Sequence, residues 1–290
     1  MSVDRSKAPE YKIPEHISFP SPIKRTLSNG VPLYFIPTPE IDAIRIELNS
    51  GTSGDKSNLK PLVSYFTLHS LMSGTKEKTA AQLDDFFDLY ASEVEVIAAF
   101  EYNGISLLTT AKHFKTVMPV FREVLTEAIF PEKELEKKKS QKALSITIQR
   151  EQNGAQASQL FRQQLFGKDH PFGHISREDD VANISREDLI AYHSTSLWNN
   201  TEVFVSGNLK EDDLECIVSC LETLPVQTSQ PKPAIFHNKD RQRVYEERPK
   251  SLQSSIRLGC HLIPKNHPDY HGLFIFNTIL GGYFGSRLIK

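Results

Sequence analysis

The stretch Leu62-Val63-Ser64-Tyr65-Phe66-Thr67-Leu68-His69-Ser70-Leu71-Met72-Ser73-Gly74-Thr75 decides how the rest of the chain is read. From Lys60 to Ser73 the positions Leu62, Tyr65, Phe66, His69 and Met72 recur with the 3.6-residue rhythm of a helix with one buried face. Upstream, Gly51-Thr52-Ser53-Gly54-Asp55 has the composition of a turn, and Ala43 to Leu48 alternates apolar and polar residues as a half-solvated strand does. Earlier still, Ile23 to Ile36 reads as two strands joined at Asn29-Gly30, the strongest short hairpin signal. The opening unit is therefore strand, strand, strand, turn, helix.

Downstream, a Thr79-Ala80-Ala81-Gln82 capping pattern predicts a helix to Leu89, followed by strands over Glu93–Ala98 and Gly104–Thr110. Helices are expected over Phe114–Ile129 and Pro131–Leu165, with a break at Gly154. Ser185-Arg186-Glu187-Asp188 opens another helix, Glu202–Ser206 is a short strand, and Glu211–Leu224 is a helix. Strands and helices in blocks give an α+β fold, a mixed antiparallel sheet with helices packed on one face. The proline-rich run Pro225 to Pro233 reads as a linker. Beyond it, strands are expected over Val244–Glu247 and Ser254–Cys260, then a helix over His267–Leu280. That order repeats the opening unit, so a second copy, incomplete within the chain, is expected. The expected divisions are a polar extension over 1–20, a first αβ domain over 21–225, a linker over 226–236 and the start of a second domain over 237–290.

Composition narrows the function. The 34 basic and 36 acidic residues nearly cancel, so nothing builds the positive field that nucleic acid needs. No apolar run approaches the ~18 residues of a membrane span, and Met1 to His16 lacks the apolar core of a signal peptide, so a soluble, cytoplasmic protein is expected. Cys216, Cys220 and Cys260 form no paired zinc motif and are read as reduced, buried thiols. His170 and His174 fall in a loop broken by Pro171 and Gly173, and His267 and His271 flank a helix start, where solvation explains them.

The segment Tyr65-Phe66-Thr67-Leu68-His69, followed by Gly74-Thr75, resembles the inverted His-x-x-Glu-His helix of the insulinase/pitrilysin family of zinc metallopeptidases. Ser28-Asn29-Gly30-Val31, His170-Pro171-Phe172-Gly173, Ser206-Gly207-Asn208-Leu209 and Leu280-Gly281-Gly282 with Ser286-Arg287-Leu288 resemble further landmarks of that family, so the likeness spans nearly the whole chain. It implies a metallopeptidase-like αβ roll.

In such a motif two histidines four residues apart hold zinc from one helix face, and the glutamate between them activates the bound water. On the Gly74-Thr75 anchor the resemblance puts the first histidine at Tyr65, the general base at Leu68 and the second histidine at His69, with the third, glutamate ligand at Thr147. One imidazole without a carboxylate is a poor zinc site, and Leu68 cannot take a proton from water. The chain is thus expected to be inactive alone and to hold no metal, with zinc in its active relatives.

The resemblance also implies that a peptide substrate is bound as an added strand along a sheet edge, here Glu95, Val96, Ile97 and Ala98, inside a chamber made of two halves. Substrate-contacting Arg and Tyr residues of the family's second half lie beyond the stretch that this chain covers. The leading expectation is a non-catalytic subunit that pairs with an active peptidase subunit, or with a copy of itself. Two alternatives stay open: a structural or assembly protein like the peptidase-like core subunits of respiratory complexes, and an active zinc peptidase with atypical ligands such as His69.

Overall fold

The two residues Asn29 and Gly30 reverse the chain as their composition requires: Gly30 N–H donates to the Leu27 carbonyl at 2.9 Å and the Asn29 side chain accepts from Val31 N–H at 3.3 Å. A computed structural model of the chain describes residues 6, 8, 11, 18–51, 60–99, 102–226, 243–249 and 251–290. Two compact units are present, Met1–Gln141 with Asp179–Pro233, and Lys142–Glu178 with Ala234–Lys290. The segment 142–178 therefore groups with the end of the chain. The turn read at residues 51–55 lies, after Gly51, outside the described residues, as do most of 1–20 and all but Val226 of the expected linker.

In the first unit the strands are β1 (Ile23–Thr26), β2 (Pro32–Pro37), β3 (Ala43–Gly51), β4 (Glu93–Ala98), β5 (Tyr102–Thr110) and β6 (Thr201–Gly207). They form one mixed sheet in the order β1-β2-β6-β3-β5-β4. Only the β2–β6 ladder is parallel; the other pairs are antiparallel. In β3 the residues Ile44, Ile46 and Leu48 are buried while Arg45, Glu47 and Asn49 are half-buried, as a period of two demands. Register carries this alternation outward: Leu48 lies between Val203 and Ile105, and Ile46 between Val205 and Leu107, all buried.

The same unit holds α1 (Val63–Ser70), α2 (Ala80–Leu89), α3 (Phe114–Thr126), the first half of α4 (Glu132–Glu151), most of α6 (Glu178–Ala182), α7 (Arg186–Thr195) and α8 (Glu211–Leu221), with α5 (Asn153–Phe166) and α9 (Tyr270–Gly281) in the second unit. Phe66, Leu83, Phe121, Val124, Leu214 and Ile217 are buried from these helices, so the core lies against the Ile44–Leu48 face of the sheet. This is the α+β arrangement expected from the order of elements.

Several boundaries differ from the reading of periodicity. α3 stops at Thr126, because the chain must turn before Phe130, which sits at φ 49°. The long helix breaks at Gln152, whose extended backbone separates α4 from α5, and Gly154 lies inside α5.

In the second unit, neither Val244–Glu247 nor Ser254–Cys260 forms a strand. An alternating pattern makes a strand only where a neighbour completes the ladder. This segment lies beside α5 instead: Asn153 donates to the Gln253 carbonyl at 2.7 Å, Arg257 to Ser158 at 3.0 Å, and Gly259 faces the Phe161 ring. The helix expected over His267–Leu280 is α9. Among the described residues no helix is long and apolar enough to cross a membrane.

Candidate functional site

Helix α1, which carries Tyr65, Leu68 and His69, is held at both ends by charged side chains. At its start, Lys60 reaches the Asp188 carboxylate at 2.6 Å. Asp188 is itself fixed because Ser185 and Asp188 cap α7 reciprocally, each side chain taking the other's backbone N–H. Burial raises the Asp188 carboxyl, but Lys60 and Ser185 hold its charged form and leave it below the ordinary range. After α1 comes one 3-10 turn, Leu71–Ser73, and then Gly74 at φ 141°, a backbone that side chains with a Cβ rarely adopt. Thr75 and Lys78 close the next turn through two backbone-directed bonds of 2.8 and 3.0 Å.

A buried acid locks that turn. The Thr75 hydroxyl donates to Glu123 of α3, and the Lys78 ammonium reaches the same carboxylate at 2.8 Å. Burial pushes the Glu123 carboxyl up, and Lys78 and Thr75 more than reverse this, so it stays below the usual carboxylate value. Sequence reading found the Gly74-Thr75 anchor and missed Glu123, whose only signal is an acid on the apolar face of an amphipathic helix. A hollow of about 490 Å³ opens beside this turn, lined by Lys76, Lys78, Gln82, Pro131 and Glu134. It touches none of Tyr65, Leu68 and His69.

Leu68 is 2% exposed and belongs to the core. Tyr65 and His69 are half-buried on a neighbouring face, their rings 4.0 Å apart and tilted by 31°. Burial raises the Tyr65 phenol above its ordinary value. The His69 Nδ1 lies 2.8 Å from the Tyr65 carbonyl oxygen. A carbonyl only accepts, so Nδ1 carries the proton and the ring lone pair is on Nε2. That is the tautomer of a metal-ligating imidazole. What differs is the company: a phenol one turn back and an aliphatic side chain where a carboxylate would stand.

Thr147 lies in the other compact unit. Its hydroxyl is 3.2 Å from both the Ala143 carbonyl and Glu178, an acid that Arg150 engages at 2.5 Å. The Arg150 bond holds the Glu178 carboxyl below its ordinary value. At the four positions taken from the family likeness, the side chains do not present the two imidazoles and one carboxylate that zinc takes.

The residues Glu95, Val96, Ile97 and Ala98 lie on β4, which ends the sheet and is paired only to β5 among the described residues. Glu95 and Ala98 are exposed, Val96 and Ile97 half-buried. One row of the sheet's other face runs from Glu95 through Ser106 to Glu47. Glu47 accepts from Asn49 at 2.8 Å and from Arg45 at 3.4 Å.

Among the remaining candidates, Cys216 and Cys220 are half-buried and Cys260 is exposed, a correction to the expectation of three buried thiols. Burial, and then the neighbouring Cys216, push the Cys220 thiol up to about 11, so it is inert. His170 sits in a turn, accepting from Phe172 N–H at 3.1 Å and stacked on Phe166 with ring centroids 5.1 Å apart.

Comparison with known proteins places this arrangement. Residues 183–290 match the family described as the peptidase M16 inactive domain. The chain is 24% identical over 277 residues to the uncharacterized zinc protease YmxG of Bacillus subtilis, a match covering 92% of this chain and 66% of YmxG. Over residues 183–290, and more distantly over most of its length, the chain is thus similar to M16, insulinase-like peptidases. In architecture the chain is similar to the peptidase M16 inactive domain from Pseudomonas fluorescens, with a TM-score of 0.74 at 20% identity over 93% of this chain and 66% of that one. It is also similar to a chain of complex III2 from Candida albicans, with a TM-score of 0.56 at 19% identity over 75% and 50% of the two chains.

One expectation, that the chain holds no metal, is corrected. The misfit to zinc concerns four positions, and it does not extend to a chain without any metal. The finding is the narrower one that, among the described residues, no group of three or more His, Cys, Asp and Glu side chains is placed to hold a metal ion.

Proposed function

We propose that this chain is a non-catalytic peptidase homologue that pairs with an active metalloendopeptidase subunit and contributes part of a peptide-binding chamber. The observation that carries the reading is Leu68. Hydrolysis through an M16-type helix requires a general base between the two histidine positions, within reach of the attacking water. Here that position holds an aliphatic side chain packed into the core, in a helix whose two ends are otherwise carefully fixed. The scaffold is kept while the base is gone, which suits a subunit that binds without cutting. The edge of β4, which carries no further strand among the described residues, offers room for a peptide to add. The whole chain spans 66% of YmxG, so its partners and peptides are part of this proposal.

The test is to purify the chain from its native source and to assay it alone and with whatever M16 subunit bearing an intact His-x-x-Glu-His co-purifies. Peptide hydrolysis absent from either chain alone and present in the pair supports the reading. Hydrolysis by this chain alone, abolished by His69→Ala, overturns it in favour of a peptidase with atypical ligands. A second reading, a structural or assembly protein, is favoured by the likeness to a chain of complex III2 from Candida albicans. A stable complex that binds no peptide is its signature.

A further inference from the structure

We infer that the edge of β4 selects extended peptides carrying basic side chains at two alternate positions followed by an apolar one, opposite Glu93, Glu95 and Ile97. This rests on the peptide-binding reading above and names its substrate class. The inference starts from which face each residue of β4 takes. Val94 and Val96 register with the buried Leu107 and Ile105 and belong to the helix-covered side. Glu93, Glu95 and Ile97 register with Leu108, Ser106 and Gly104 and belong to the other face. A strand added to β4 places its own side chains directly beside these three on that face.

The charges there are unbalanced. Further into the sheet, the Glu47 carboxylate is taken up by Arg45 and Asn49, and Arg45 also reaches Ser106 at 3.4 Å. Glu93 and Glu95 are exposed, and neither makes an ion pair or side-chain hydrogen bond among the described residues. Two like charges two residues apart on one strand face repel each other, so they cost the isolated fold a little. An incoming strand with Lys or Arg at both places removes that repulsion and gains two opposite-charge pairs. Charged residues also protect sheet edges from unwanted pairing. Protection alone predicts that no strand adds here, whatever its charge.

Each opposite-charge pair across strands is worth about threefold in affinity, so the two together give about tenfold. The experiment is fluorescence anisotropy of the 290-residue chain with three labelled peptides of alternating sequence, Lys-Thr-Lys-Thr-Val, Thr-Thr-Thr-Thr-Val and Glu-Thr-Glu-Thr-Val. The Lys peptide is expected to bind about tenfold tighter than the Thr peptide and the Glu peptide weakest, with differences that shrink as salt rises. In Glu93→Lys/Glu95→Lys the order reverses. In Glu93→Gln/Glu95→Gln the three converge while the Thr peptide binds as before, and an unchanged circular dichroism spectrum shows that the fold is intact. Equal binding of all three peptides, or an order that neither double variant alters, overturns the charge preference and leaves peptide binding standing. Absence of binding by any peptide overturns both.

Discussion

The imidazole of His69 is turned onto its own helix: Nδ1 lies 2.8 Å from the carbonyl oxygen of Tyr65, and the two rings stand 4.0 Å apart. The His69 ring is half-buried, whereas the neighbouring Leu68 is only 2% exposed. His69→Ala should therefore cost only about 1 kcal/mol. Leu68→Ala should cost about 3 kcal/mol through lost burial and the cavity left behind. Leu68→Glu, which restores the residue type of an M16 base, should be at least as damaging, because it puts an unpaired carboxylate in the core. Urea unfolding of the three variants ranks them, and a harmless Leu68→Glu would show that the position is not core.

Glu123 gives the fold a dependence on acid. Its folded carboxyl lies below the ordinary 4.5 because Lys78 and Thr75 outweigh the effect of burial. A depressed carboxyl contributes stability that is complete above the unfolded value and is lost as pH falls through the folded one. Asp188 acts in the same sense through Lys60 and Ser185. The melting temperature should therefore fall below about pH 4.5, and less steeply in Glu123→Gln. Lys78→Met, which leaves the acid nearly buried and half-satisfied, should cost about 2 kcal/mol at neutral pH.

His193 adds a second, higher window. It is buried against Phe130, and its Nε2 donates to the Leu125 carbonyl at 2.8 Å. Burial lowers its pKa, and the Leu125 bond offsets part of that. The unfolded chain thus takes up a proton before the folded one does, and stability is lost as pH falls from 6.5 through the folded value. His170, lowered by burial and then by His261, has the same sign. Thermal melts between about pH 5 and 7 should show this slope, and His193→Phe should reduce it while costing about 1–3 kcal/mol for the orphaned carbonyl.

Gly104 lies on β5 opposite Asn49 of β3. A Cβ there would stand 2.2 Å from the Leu48 carbonyl oxygen and 2.7 Å from the Asn49 side chain. Backbone cannot retreat as a long side chain can. Gly104→Ala should cost about 3 kcal/mol or more, read as a lost or strongly shifted unfolding transition. Wild-type stability in that variant would mean that the β3–β5 ladder is looser than its register.

What the sequence makes legible here is local. The Asn29-Gly30 turn, the alternation of β3 and the caps at Thr79 and Ser185 depend on residues within a few positions of one another, and each is found where its pattern puts it. Neighbourhood in the sheet is not local. Nothing in Glu202 to Ser206 announces that this strand lies between β2 and β3. The runs at residues 244–247 and 254–260 carry strand periodicity and have no ladder among the described residues, because periodicity describes faces and not partners.

The candidate site divides in the same way. Residue types along α1 are open to inspection, so the missing base at Leu68 is visible at once. The buried carboxylate of Glu123, which holds the turn after α1, meets partners 45 and 48 residues away and has no signature in either segment. The tautomer of His69 depends on one ring rotation toward a backbone carbonyl, which no pattern of letters encodes.

The parallel ladder between β2 and β6 has a consequence for how the protein is born. Leu33 leaves the ribosome long before its partner Val203, which follows only after three other strands and seven α-helices of the described residues have been made. β3 waits equally long for the same neighbour along its other side. Until then the two strand edges that flank the place of β6, rich in Leu, Ile and Phe, stay unzipped in the growing chain. Nascent molecules of this kind depend on chaperones and are prone to stick to each other at those edges.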